Sequence, residues 1–147
     1  MQLLRRGEDF NKGGGGKCVR LSRCSIYATI GNMEEEFELE YYATLNGKSP
    51  YEDWAKKLKK RASVDYARIL ARLDRVAGGN LGDAKELRDG VWELRLAFGP
   101  GYRIYYGKVG NRVILLLCGG QKCGQQRDIE KAVKYWKDFQ SQGREDT

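Results

Sequence analysis

Three cations carry the chemistry this chain has to offer: Arg95 in VWELRLAF, Arg103 in GPGYRIYY and Lys122 in GGQK. A guanidinium is charged at any physiological pH and presents donors in a planar fork that matches a phosphate or other oxyanion. Two of them on one surface could stabilise charge that develops during phosphoryl chemistry. The question is whether the fold brings them together. Residues alternate along a strand, so Trp92, Leu94, Leu96 and Phe98 share one face, while Glu93 and Arg95 share the other. Tyr102, Ile104 and Tyr106 alternate in the same way with Arg103 and Tyr105. Placing Phe98 opposite Tyr102 makes Gly99-Pro100-Gly101 a three-residue hairpin loop. Arg95 is then expected to face Tyr105, and Arg103 to face Ala97, with all three polar residues on the non-core side. The next strand returns past Arg103 and delivers Gly119-Gly120-Gln121-Lys122 beside it. A competing reading is a solvated sheet face on which the arginines pair with Glu93 and Asp128, and spacing alone does not separate the two.

The elements that must hold these residues are legible from periodicity. FELEYYA (37–43) alternates as a half-buried strand. Ser49, Pro50 and Glu52 make a capping box that starts a helix running to about Arg61, with Trp54 and Leu58 on one face. Ser63 is expected to cap a second helix whose apolar stripe is Val64, Ala67, Leu70, Leu73 and Ala77, ended by Gly78-Gly79. A loop over 80–90 leads to three strands at 91–98, 102–107 and 112–118, joined by short turns as an antiparallel meander. A last helix covers 125–140, burying Ile129, Val133, Trp136 and Phe139 or Gln140, with Gly143 just beyond it. The order β-α-α-β-β-β-α is an α+β domain over residues 36–143, with the meander packed against a helical hairpin and a C-terminal helix.

Residues 1–35 are expected to be a flexible leader, of which residues 1–32 show no sustained period and are expected to lie upstream of a natural start at Met33. Their GGGGK (13–17) lacks the G-x4-G-K-[ST] form of a phosphate loop, since Cys18 follows Lys17. The formal charge of +7 suggests nucleic acid, but residues 1–32 hold six Lys/Arg against two Asp/Glu, which accounts for +4 of it. Cys18, Cys24, Cys118 and Cys123 have spacings unlike zinc ligand pairs, and the chain has no histidine, so neither metal nor cofactor is expected. No apolar run approaches the roughly 18 residues of a membrane helix, and no secretory signal is present, so the expected location is the cytoplasm, with reduced thiols.

The segment GNLGDAKELRDGVWELRLAFGPGYRIYYG, followed by ILLLCGGQKCGQQRDI and a helix, resembles the RelE/HigB group of bacterial toxins. More narrowly, it resembles the phage-derived addiction module killer branch of the RelE/ParE superfamily, and the likeness covers about residues 36–140. The resemblance implies a type II toxin that cleaves mRNA, usually on the ribosome, and so inhibits translation. The expected partner is a cognate antitoxin with a helix-turn-helix domain of the HigA kind. Arg103 falls on a family catalytic arginine, Arg95 where a catalytic lysine stands in RelE, and Lys122 near the basic residue after the last strand. Lys85, in the loop before the meander, is a further candidate, and Lys85, Tyr105 and Arg127 are the residues expected to bind RNA. Two departures stand out: no tyrosine occurs in QQRDIEK, and the second RelE lysine falls on Glu93.

Such an RNase makes the 2′-hydroxyl attack the neighbouring phosphate through a strongly anionic intermediate, which Arg95 and Arg103 are suited to stabilise. Proton transfer then falls to Lys122, Glu93 or Tyr105, with substrate alignment supplying much of the rate. Tyr105 could instead stack on a base. Two alternatives remain at this stage: a ParE-like gyrase inhibitor, and a non-catalytic binding or corepressor module on the same fold.

Overall fold

The computed structural model describes residues 17–20 and 36–145. One mixed sheet holds six strands: β1 (Lys17–Arg20), β2 (Glu38–Ala43), β3 (Ala84–Glu86), β4 (Val91–Leu96), β5 (Tyr102–Val109) and β6 (Val113–Gln121). Their spatial order is β1-β2-β6-β5-β4-β3. Helices α1 (Pro50–Arg61) and α2 (Ser63–Ala77) connect β2 to β3, and α3 (Gln125–Glu145) follows β6 through a 3₁₀ turn at Lys122–Gly124. The α+β class and the order of elements from β2 onward agree with the sequence reading. Two additions change the sheet. Lys17–Arg20 pairs antiparallel with β2, so this part of the expected leader is a strand, while the proposed start at Met33 lies outside the described residues. Ala84–Glu86, expected to be loop, pairs antiparallel with β4 as a three-residue edge strand. β2 lies parallel to β6, and β4, β5 and β6 form the expected antiparallel meander.

The sheet is covered on both faces. The α1–α2 hairpin packs on the first, where Leu58, Ile69 and Leu73 meet Leu94, Leu96, Ile104, Ile114 and Leu116. Helix α3 packs on the second, where Ala132, Val133 and Trp136 meet Val91, Tyr105, Leu115 and Leu117. Because both faces are covered, β2 is not half-solvated: Tyr42 and Glu40, on the side expected to be wet, are buried. Tyr42 donates its hydroxyl to Asp138 of α3 and stacks on Tyr135.

Helix α1 begins at the expected N-cap, with the Ser49 Oγ accepting from the Glu52 N–H at 3.3 Å, while the Glu52 carboxylate accepts from the Tyr41 hydroxyl at 3.1 Å. Helix α2 departs from expectation at both its cap and its face. Ala62 occupies the N-cap and Ser63 is already helical, with no side-chain cap bond. The buried stripe is Ile69, Leu73, Val76 and Ala77, whereas Val64, Ala67 and Leu70 face solvent. Both stripes have helical spacing; Ile69 and Val76 belong to the one that meets the larger apolar sheet surface. Helix α3 runs past Gly143 to Glu145.

Candidate functional site

The hairpin β4–β5 sets the geometry. Leu96 pairs with Tyr102, so Ala97–Gly101 forms a five-residue loop rather than a three-residue one. Phe98 leaves the strand: its carbonyl accepts from the Gly101 N–H at 3.1 Å, and its ring packs on Tyr102 with centroids 5.7 Å apart. Gly99 and Gly101 both take positive φ (57° and 82°), which lets the chain turn this tightly. The expected register is thereby shifted by two residues. Arg95 lies directly opposite Arg103, and Glu93 opposite Tyr105. A two-residue shift preserves facing, so the expectation that the arginines share the non-core side stands, although their partners change.

What lies between them is a carboxylate. Glu93 is fully buried, with Arg95 Nε at 3.1 Å from its Oε1 and Arg103 Nε at 3.5 Å from its Oε2. The Gln125 side-chain amide, at the start of α3, donates to Oε2 at 2.5 Å. Arg103 Nε is close enough for ion pairing, but its angle does not make a hydrogen bond. Arg95 is 37% exposed and Arg103 only 13%, so the pair presents one open guanidinium and one nearly enclosed.

A second carboxylate approaches from α3. Gly120 of β6 lies opposite Arg103, and a Cβ at Gly120 would fall 1.9 Å from Asp128 Oδ2. Only glycine admits Asp128 against the sheet at this position. Burial pushes the Asp128 carboxyl above the ordinary carboxylate range, with Lys131 and Arg127 opposing. The facing of Gly120 depends on a bulge in β6. Tyr105 pairs with Cys118 but Tyr106 with Leu116, which leaves Leu117 as an extra residue.

The remaining candidates divide. Lys122 is exposed two residues beyond Gly120, with its backbone N–H bonded to the Gly101 carbonyl at 2.9 Å, so it stands at the same end of the sheet. Lys85 pairs across β3–β4 with Glu93 and is exposed. Together with Arg88, Gln126 and Ile129 it lines a shallow cleft of about 430 Å³ between the sheet edge and α3. Arg127 is exposed and lies roughly 200° around α3 from Gln125, away from the arginine pair. Tyr105 requires correction. It is fully buried beneath α3 and its hydroxyl has no hydrogen-bond partner among the described residues, so it offers no face to a base. Burial, then the charges of Glu93 and Asp128, push its phenol above its ordinary range, which removes it as a proton donor near neutrality. Glu93 is corrected in role: with both oxygens engaged and no exposure, it positions the arginines rather than meeting a proton on a substrate.

Gln125 as a ligand of Glu93 escaped the sequence reading. A signal was there, because Gln125 sits four residues before Ile129 and thus on the same face of α3. Among the described residues, no helix is long and apolar enough to cross a membrane.

Comparison with known proteins gives one informative match. An uncharacterized protein of Haemophilus influenzae Rd is 42% identical over 82 residues, spanning 56% of this chain and 81% of that protein. The chain belongs to the same family as that Haemophilus protein. No family model matches the chain, and no solved structure matches it significantly.

Proposed function

We propose that the chain is the toxin of a type II toxin–antitoxin system, a metal-independent mRNA endoribonuclease of the RelE/HigB kind that blocks translation. The observation that carries this reading is the Arg95/Arg103 pair, set opposite each other at the open end of the sheet by β4–β5 register. Support comes also from the arrangement of β2 beside β6, followed by the β6-β5-β4 meander, which suits a RelE/ParE-like topology. A cleft between the sheet edge and α3, lined by Lys85 and Arg88 with Glu86 beside them, offers two cations to an RNA strand.

In this reading the RNA phosphate docks on the open side of Arg95, with Arg103 behind it. Glu93 and Gln125 hold both guanidiniums in place before substrate arrives, so little reorganisation is needed as negative charge builds. Asp128, whose carboxyl keeps its proton to higher pH than an exposed one, is the best placed group to exchange a proton, and Lys122 neutralises charge at the strand end. The cellular setting is the cytoplasm, with mRNA, the ribosome and a helix-turn-helix antitoxin as partners.

One observation favours a second reading, a non-catalytic module kept for binding its antitoxin: Glu93 already spends one side of each arginine. The test is induction of the full chain without antitoxin, beside an Arg95→Ala/Arg103→Ala variant, with growth and transcript 5′ ends followed together. Arrest with new mRNA ends, both lost in the variant, is the expected result. Arrest with intact transcripts would point to gyrase instead, and no arrest would leave the binding module.

A further inference from the structure

On the other side of the same sheet edge, a cleft of about 500 Å³ opens between α2 and the end of β4. Four guanidiniums line it, from Arg68, Arg72, Arg75 and Arg95, against the single carboxylate of Asp83. Residues 68, 72 and 75 follow helical spacing, so α2 places three like charges on one face, an arrangement that costs a helix stability unless something anionic offsets it. Arg68 and Arg75 are exposed and take part in no ion pair among the described residues.

The cleft is organised beyond its charge. Arg72 donates to the carbonyls of Asn80 and Leu81, which fixes its guanidinium at the wall. Burial first, and then the nearby charge of Arg75, push Arg72 below its ordinary range, with Asp83 and Tyr106 opposing. Arg68 lies over the Phe98 ring, 5.5 Å from its centroid, and Leu96 and Ala97 complete an apolar floor. Arginines above an apolar, partly aromatic floor suit a ligand with both phosphates and planar bases. The face is continuous with the candidate site through Arg95, which lines this cleft and also binds Glu93.

We infer that this cleft is a second binding site for single-stranded RNA, holding the part of the strand that continues beyond the phosphate at Arg95. The strand would cross the sheet edge just before β3 begins, next to Asp83, whose carbonyl accepts from the Arg95 N–H at 2.9 Å. The inference rests on the ribonuclease reading for its meaning, but its test does not depend on cleavage.

The experiment measures binding of a fluorescein-labelled 12-nucleotide 2′-O-methyl RNA, which cannot be cut, to the full chain across a series of salt concentrations. Arg68→Ala/Arg75→Ala should weaken binding roughly tenfold at low salt and flatten the log–log salt slope by about 1.4, the value for two lost phosphate contacts on a single strand. Arg68→Lys/Arg75→Lys should keep the slope, which separates charge from any loss of helix. An unchanged slope in the alanine variant, or no binding by the parent protein, overturns the inference. So does Arg68/Arg75-dependent binding of a decaglutamate peptide in preference to RNA, which would assign the cleft to an acidic protein. A chain that binds RNA in this way yet cuts no transcript keeps the cleft and loses the nuclease. One that cuts with its salt slope unmoved loses only the cleft.

Discussion

The two faces of the sheet are built from the same strands and do different work. Beneath the α1–α2 hairpin, buried side chains are nearly all apolar; Tyr102 donates its hydroxyl to Asp65 at 2.7 Å, whereas the Tyr106 hydroxyl is buried with no partner among the described residues. Beneath α3 the apolar cluster ends at Cys118 and Tyr105, and beyond it the face holds Glu93, Arg103, Gln125 and Asp128. The first face is built for burial, and its stability scales with the apolar area it removes from water. The second buries charged groups along part of its length, a composition that costs stability unless each charge keeps its partner. A protein of this size can carry one such face because the other supplies the core.

Substitutions can break that contrast. Leu58→Ala, in the fully buried centre of the first face, should cost about 3–5 kcal/mol in urea unfolding, through lost transfer energy and a cavity. Glu93→Ala should cost less, about 3 kcal/mol, and for another reason: it strands the nearly enclosed Arg103 and the Gln125 amide without their acceptor. Glu93→Gln keeps an acceptor and should restore part of this. If Glu93→Ala were neutral, the buried carboxylate would not be organising the second face.

The pH dependence sharpens the comparison further. Burial raises the Asp128 carboxyl above 3.8, so the folded chain holds this proton at pH values where the unfolded chain has released it. The group's contribution to stability therefore falls as pH climbs from 3.8 through the raised folded value, and is level above it. Asp128→Asn should gain on the parent protein over that window and match it below. Paired denaturation curves at acid and neutral pH would read this, and a gain confined to low pH would contradict it.

The smallest effect concerns thiols. Cys118 is buried and its thiol is pushed up to about 12, first by burial and then by Asp128, whereas Cys123 is exposed. Peptide mapping after iodoacetamide at pH 8 should show Cys123 alkylated and Cys118 protected until the chain is unfolded. Early labelling of Cys118 would mean that the second face opens more readily than its packing implies.

Much of this architecture was legible before any coordinates. Alternation in FELEYYA and in the meander, and the Ser49-Pro50-Glu52 start, are local patterns that the fold obeys. What escaped depends on tertiary context. Ala84–Glu86 is a strand only because β4 offers an unpaired edge, and three residues carry no period. On α2, two stripes satisfy helical spacing, and only the sheet beneath selects Ile69 and Val76. The arginine pair was visible as a shared face because facing survives a two-residue slip, while the partner of each arginine does not. The burial of Tyr105 was hidden for a similar reason: a strand's outer face reads as wet until a second helix layer covers it.

The extra residue at Leu117 reaches further than its single position. In an unbroken ladder Cys118 would pair with Ile104, point into the hairpin core, and send Gly120 to the wrong side, leaving Asp128 over a different residue. The bulge thus works as a phase changer between two stretches of one strand. Upstream of it, side chains answer to packing; downstream, they answer to whatever the charged end of the sheet must grip. Either stretch can drift in sequence without forcing the other to follow, but a single-residue insertion or deletion between them would invert one set of constraints at a stroke. Length at this point is therefore expected to be far less tolerant of change than residue identity.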